Sequence, residues 1–310
     1  MSTRQKDAVS VHTAVPGASV HASPLARTLR ALACDRLALT GLIIVGVLLF
    51  AALLAPLIAP QNPYDLAQLD IMDGRLAPGS ESMTGTVYLL GTDDQGRDLF
   101  SAILYGLRTS IFVGIISAAI ALVIGASIGL VSAYAGGRTD AVLMRIVDIQ
   151  LSFPAILIAL IFLAILGQGV DKIIIALVVT QWAYYARTVR GSALVESKRA
   201  YIDAARSMAL PDRRIIFRHI LPNCLPPLIV VATMRVAYAI MLEATLSFLG
   251  IGLPVTEPSL GLLISNGFEY MLSGDYWISV FPGITLLLLI VGINLIGDSL
   301  RDILNPRREG

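Results

Sequence analysis

Six stretches of this 310-residue chain are apolar over about the length that a lipid bilayer demands. A spanning helix needs about 20 mostly apolar residues, because it rises about 1.5 Å per residue through a hydrocarbon layer of about 30 Å. The stretches are 37–59, 109–134, 142–166, 170–185, 225–249 and 278–296. Hydrocarbon offers the backbone no hydrogen-bond partner, so runs of this length must be helices. The short alternating segments of a membrane barrel are absent. Composition agrees: 56% of residues are hydrophobic and 15% charged, against about 45–50% and about 25% in soluble domains. A disordered chain, a disulfide-framed secreted domain and an ordinary soluble enzyme are excluded. The expected fold is an all-α membrane protein with six transmembrane helices.

The first run is too long for a signal peptide and follows a 36-residue polar lead, so it reads as a retained anchor. The second holds Gly125 and Gly129 as a GxxxG pair, a mark of close helix packing. The third contains Pro154. The fourth is short and carries Gln181. The fifth embeds Arg235 and Glu243. Cys34 and Cys224 are too few for a framework and read as small buried hydrophobes.

Charge orients these spans. The lead, 135–141, 186–223 and 298–310 together hold 17 basic and nine acidic residues. The segments 61–109, 167–172 and 250–276 hold four basic and eleven acidic. Cytoplasmic loops are the ones enriched in Lys and Arg, so both termini are expected in the cytoplasm, as an even number of spans requires. The resulting division is a lead at 1–36, a first helix at 37–60 and a periplasmic segment at 61–108. A five-helix core follows at 109–300, with a cytoplasmic loop at 186–223, and the tail is 301–310.

No G-x-x-x-x-G-K-[ST] phosphate loop occurs, so ATP is not bound by that route. His12, His21 and His219 are the only histidines, and no His/Cys cluster has metal-ligand spacing. No G-x-S-x-G setting for a nucleophile is present. A hydrolase or a redox carrier finds no support.

The loop 186–223 is far longer than a helix-to-helix join needs. Its 196–208 part has helical propensity. Pro211 ends that helix, Asp212 suits the N-cap of a second short one, and Pro222 ends the second before the fifth span. The loop reads as a basic element on anionic headgroups or as a docking knob for a cytoplasmic partner. Ala204, Ala205 and Ala209 would let a partner approach closely.

Within this loop Asp203-Ala-Ala205, Ala209, Ile215 and the string HILP at 219–222 resemble the EAA loop of ABC-importer permeases. Asp stands where that pattern has Glu, Ala209 where it has Gly, and Pro211 is an addition. Without Gly, the turn at 209 either avoids a positive φ or adopts it at a cost. Further blocks are similar to the dipeptide, oligopeptide and nickel permeases. They are LGTDDQGRDLFS at 90–101, Met144 to Asp148 with Phe153-Pro154, LSFLGIG at 246–252 and NLIGDSLRD at 294–302. The long segment after the first span is similar to the C-type subunit of the permease pair.

The resemblance implies the type I ABC importer permease fold. It implies a second homologous permease subunit, two cytoplasmic ATPase subunits, a substrate-binding protein and the lipid bilayer as partners, and no nucleic acid. It implies a bacterial inner-membrane location. ATP and Mg would sit on the ATPase subunits, leaving this chain with no cofactor and no catalytic residue. Asp203, Ala204, Ala205, Ala209, Ile215, His219, Leu221 and Pro222 would form the coupling loop, with His219 either in contact or capping a helix end. Arg235 and Glu243, on a similar face of the fifth span, would line the path, meet the other permease, or pair with each other. Arg145 and Asp148 read as a local pair. The residues TDDQ at 92–95 fit a capping box leading into the second span. A self-contained, ion-coupled secondary transporter is the competing class, and it predicts inverted repeats that the chain does not display. A membrane scaffold or channel subunit would not need the loop's spacing.

Overall fold

A computed structural model describes residues 30–65, 69–82 and 85–304. Most of the lead, with His12 and His21, and the end of the tail lie outside the described residues. Among the described residues the chain is helical, with only the isolated bridges Glu81–Val87 and Thr92–Asp98 outside helices and turns. The main helices are α1 (Arg36–Leu53), α2 (Leu99–Ala135), α3 (Gly137–Ser152), α4 (Ala155–Leu166) and α5 (Val170–Glu196). They continue as α6 (Ala200–Ser207), α7 (Asp212–Phe248), α8 (Leu260–Phe268) and α9 (Trp277–Ile303).

Four of these, α1, α2, α7 and α9, are long and apolar enough to cross a membrane, and a bent α3–α4 pair would make five. The expected span 142–166 is broken at Phe153–Pro154, where α3 and α4 meet at 89°. Proline has no amide to continue the ladder, and it drives Phe153 into extended backbone at φ −95°, ψ 141°. The expected short span 170–185 belongs to the 27-residue α5, whose polar second half runs on to Glu196.

Pro222 does not end a helix. It lies in the first turn of a segment that continues to Phe248. The preceding five residues, Ile216–Ile220, form a π-turn, closed by the Leu221 amide on the Ile216 carbonyl. The next residue, Pro222, has no amide to leave unpaired, so the wide turn passes into α-helix there without an orphan donor.

Close packing follows the small residues. A Cβ on Gly125 would lie 2.3 Å from the Trp182 carbonyl, and one on Gly129 would lie 2.5 Å from that of Ala186. The GxxxG pair thus sets α2 against α5. Gly41 meets Gly292 in the same way, where α1 crosses α9.

Among the described residues, contacts join loop segments that carry the same excess of charge. At the acidic end Arg97 Nη1 donates to the Val255 carbonyl at 3.2 Å, Gly169 to Gly252, and Arg75 pairs with Asp275 at 3.6 Å. At the basic end Arg190 forks onto Asp140 at 2.5 and 2.6 Å. The helix start expected at 92–95 falls instead at Asp98. Its carboxylate accepts from the Ser101 amide at 2.9 Å and the Ser101 hydroxyl at 2.5 Å. Gly96, at φ +75°, turns the chain too sharply for a helix to begin earlier. Thr92 is buried and donates to the Asp73 carbonyl at 2.5 Å. Asp93 and Arg97 are both buried with 3.0 Å between them. Burial lifts the Asp93 carboxyl, against the pull of Arg97.

Candidate functional site

The basic end is capped by the turn from α6 into α7. Four residues of this turn point inwards: Ile202, Ala205, Ile215 and Ile220 are at most 3% exposed. They pack on Leu130 of α2, Tyr185 and Val189 of α5, and Cys224 and Leu228 of α7. Burying such side chains contributes roughly 1.5–3 kcal/mol for each large aliphatic one, so the turn is fixed to the bundle.

Ala209 follows α6 with φ +53°. Its amide bonds to the Arg206 carbonyl at 2.9 Å, and the Leu210 amide to that of Ala205 at 3.2 Å. This is the pair of bonds of a Schellman C-cap, whose left-handed residue is ordinarily Gly. The turn at 209 therefore keeps the positive φ with an alanine.

Two polar clamps hold the turn. Tyr134, at the end of α2, donates to Asp212, and its ring lies 5.9 Å beneath the Arg206 guanidinium. Tyr201 donates to Glu196 and accepts from Asn223 Nδ2 at 3.0 Å. Burial, then the bond to Glu196, pushes the Tyr201 hydroxyl up to about 12, so it stays a donor at physiological pH. Asn223 also donates to the His219 carbonyl at 2.7 Å. His219 thus offers its carbonyl to a clamp, with its half-buried ring 6.3 Å from Tyr201.

The outward face holds Asp203, Ala204, Arg206, Ala209, Pro222 and the basic run Arg213, Arg214 and Arg218. Asp203 is 3.6 Å from Arg206. Leu221 is half-buried. Of the residues expected to form the coupling loop, Ala205 and Ile215 face the bundle. Met208 and Phe217, 69% and 60% exposed, carry the outward apolar surface. Sequence reasoning overlooked both. Both are large apolar residues in a loop that its charge count marks as basic.

Arg235 and Glu243 do not pair with each other. The Arg235 guanidinium lies 3.4 Å from the centre of the Tyr184 ring and 5.3 Å from that of Tyr238, a cation–π stack between α5 and α7. Glu243 is fully buried. It accepts from Ser110 of α2 at 2.7 Å and from Ser247 at 2.8 Å. Asp148 likewise leaves Arg145 and pairs with Arg187 of α5. Cys224 is buried as expected, whereas Cys34 is exposed.

The architecture is a helical bundle with a fixed amphipathic turn at its basic end. Residues 121–310 match the family of binding-protein-dependent transport system inner membrane components, and residues 23–78 match the N-terminal transmembrane domain of oligopeptide transport permease C. The chain belongs to this family and is a permease subunit of a binding-protein-dependent ABC importer. A putative peptide transport system permease of Brucella abortus is 43% identical over 92% of this chain and 93% of its own length. A di/tripeptide permease of Pseudomonas aeruginosa is 36% identical over 93% and 94%. An oligopeptide permease of Bacillus subtilis is 35% identical over 88% and 86%. These relatives are named as transport subunits, not as enzymes. Among solved structures, an inward-facing methionine ABC transporter aligns with a TM-score of 0.54 at 21% identity, over 66% of this chain and 96% of that one. That likeness identifies the type I importer permease fold.

Proposed function

We propose that this chain carries peptides across the bacterial inner membrane as one of two homologous permeases. It is driven by two cytoplasmic ATPase subunits and fed by a substrate-binding protein at the acidic end. The chain crosses the bilayer six times, with α5 and the bent α3–α4 pair joining the four apolar helices, and both termini are cytoplasmic. The segregation of 17 basic residues from eleven acidic ones supports that orientation. The names of the relatives support peptides as cargo.

The observation that carries the coupling reading is the turn at 200–220: seated by buried aliphatics, clamped by two tyrosines, and presenting Met208 and Phe217 among arginines. A knob of this kind seats in a groove of the ATPase. ATP and Mg sit on that subunit. Its closure then moves the helices behind the knob as a rigid body. Ala205, Ala209 and Ile215 shape the knob; Asp203, Ala204, Met208 and Phe217 make the contact.

Co-purification in mild detergent tests this. Met208→Glu and Phe217→Glu should each lose the ATPase, while Arg145→Gln at the side of the bundle keeps it. Unchanged recovery in both variants sinks the coupling assignment. Uptake that needs no ATPase and follows an ion gradient sinks the importer mechanism in favour of a secondary transporter.

A further inference from the structure

At the acidic end a cleft of about 620 Å³ opens between α1, α2 and the loop ahead of α8. That volume falls within the usual range for small-ligand sites, about 300–1,000 Å³. Its walls are largely apolar, with Leu53, Phe112 and Ile115 among them. Tyr64, also in the lining, stands edge-to-face with Tyr105 at 5.4 Å. Two opposite charges interrupt this apolar surface, Arg108 from α2 and Glu257 from the loop.

Neither charge belongs to an ion pair among the described residues. Glu257 Oε2 is buried and has no hydrogen-bond partner among them. Buried carboxylate oxygens are ordinarily partnered, so this one is held ready for a donor that arrives from elsewhere. The loop that carries it is fixed on both sides. Arg97 holds the Val255 carbonyl at 3.2 Å, and Ser259 caps α8 by accepting from the Leu262 amide at 3.2 Å. Arg108 is exposed and presents the planar fork that matches a carboxylate.

We infer that this cleft binds the zwitterionic backbone of a short peptide, with Arg108 on its carboxylate, Glu257 on its ammonium and its side chains on the apolar walls. The inference rests on the reading of the chain as a peptide permease. It adds a recognition site within the membrane subunit itself, beyond any selection made by the binding protein. A phosphatidylethanolamine headgroup has the same pair of charges, so the test separates the two.

Uptake of radiolabelled dialanine is measured in proteoliposomes that hold the assembled importer and saturating binding protein. Arg108→Gln and Glu257→Gln each remove a charge-assisted contact and should lower the rate by about tenfold. The double exchange R108E/E257R keeps both charges and should recover much of the loss. It also keeps the test decisive if a single variant fails to assemble. Lys172→Gln, at the same end but outside the cleft, should transport like the parent. Normal uptake in both single variants, or an exchange no better than either, overturns the site while the peptide-permease reading stands. An assembled parent that imports neither dialanine nor tetraalanine overturns that reading instead. If vesicles lacking phosphatidylethanolamine drop the parent to the rate of the variants, the occupant is the lipid and the peptide assignment fails.

Discussion

Ala209 holds a backbone conformation that its own side chain opposes. At φ +53° its Cβ crowds the following carbonyl, a cost of roughly 1–2 kcal/mol for an L-residue that Gly avoids. The two bonds of the C-cap and the buried Ala205 and Ile215 on either side hold it there. Ala209→Gly should therefore raise stability by about 1 kcal/mol net of the added chain entropy, and Ala209→Val should lower it by at least as much. Thermal unfolding in detergent reads both, and a variant order of Val above Gly would contradict the assignment. The residue type at 209 was legible as a departure from a pattern. Whether the chain kept the positive φ was not, because that depends on bonds to Ala205 and Arg206. The partners of Glu243 were hidden for a similar reason. Periodicity puts Arg235 and Glu243 on a similar face of one helix, but Ser110 lies 133 positions away in the chain.

At the scale of elements, apolar runs revealed where helices are and missed how they are broken. Pro154 within a run is compatible with a gentle kink or a full break, and the run alone does not give the 89° angle between α3 and α4. Pro222 looked like a stop signal, but the π-turn before it removes the need for its amide. The junction of α3 with α5 shows how charge fixes such a corner. Arg190 donates two bonds to Asp140, Ser132 adds a third, and together they hold the Asp140 carboxyl at about 2, down from 3.8. A carboxyl depressed in the folded state stabilises fully above its unfolded value and loses that contribution as the pH falls through its folded one. Asp140→Asn should cost about 1 kcal/mol at neutral pH, given the partial exposure of the pair. The gap between parent and variant should close between about pH 4 and about pH 2. A gap that persists at low pH would show that the carboxylate charge is not what holds the corner.

For the whole molecule, the sorting of charge by segment was legible in the sequence, and among the described residues contacts join 61–109 with 250–276 and 135–141 with 186–223. The proposed orientation makes a direct prediction. In a Cys34→Ser background, Leu272→Cys, at a fully exposed site of the acidic end, should react with a membrane-impermeant maleimide in intact cells. Met208→Cys should react only after permeabilisation, and the reverse pattern would invert the topology. The continuity of α7 from Asp212 to Phe248 has a mechanical consequence. Phe217 and Glu243 stand roughly 40 Å apart along one rod, at about 1.5 Å per residue. No loop interrupts them, and Pro226 and Pro227 are points where the ladder between them lacks an amide. A torque applied at the exposed phenylalanine therefore turns the same shaft whose far end is bolted, through Glu243 and Ser110, to the neighbouring helix.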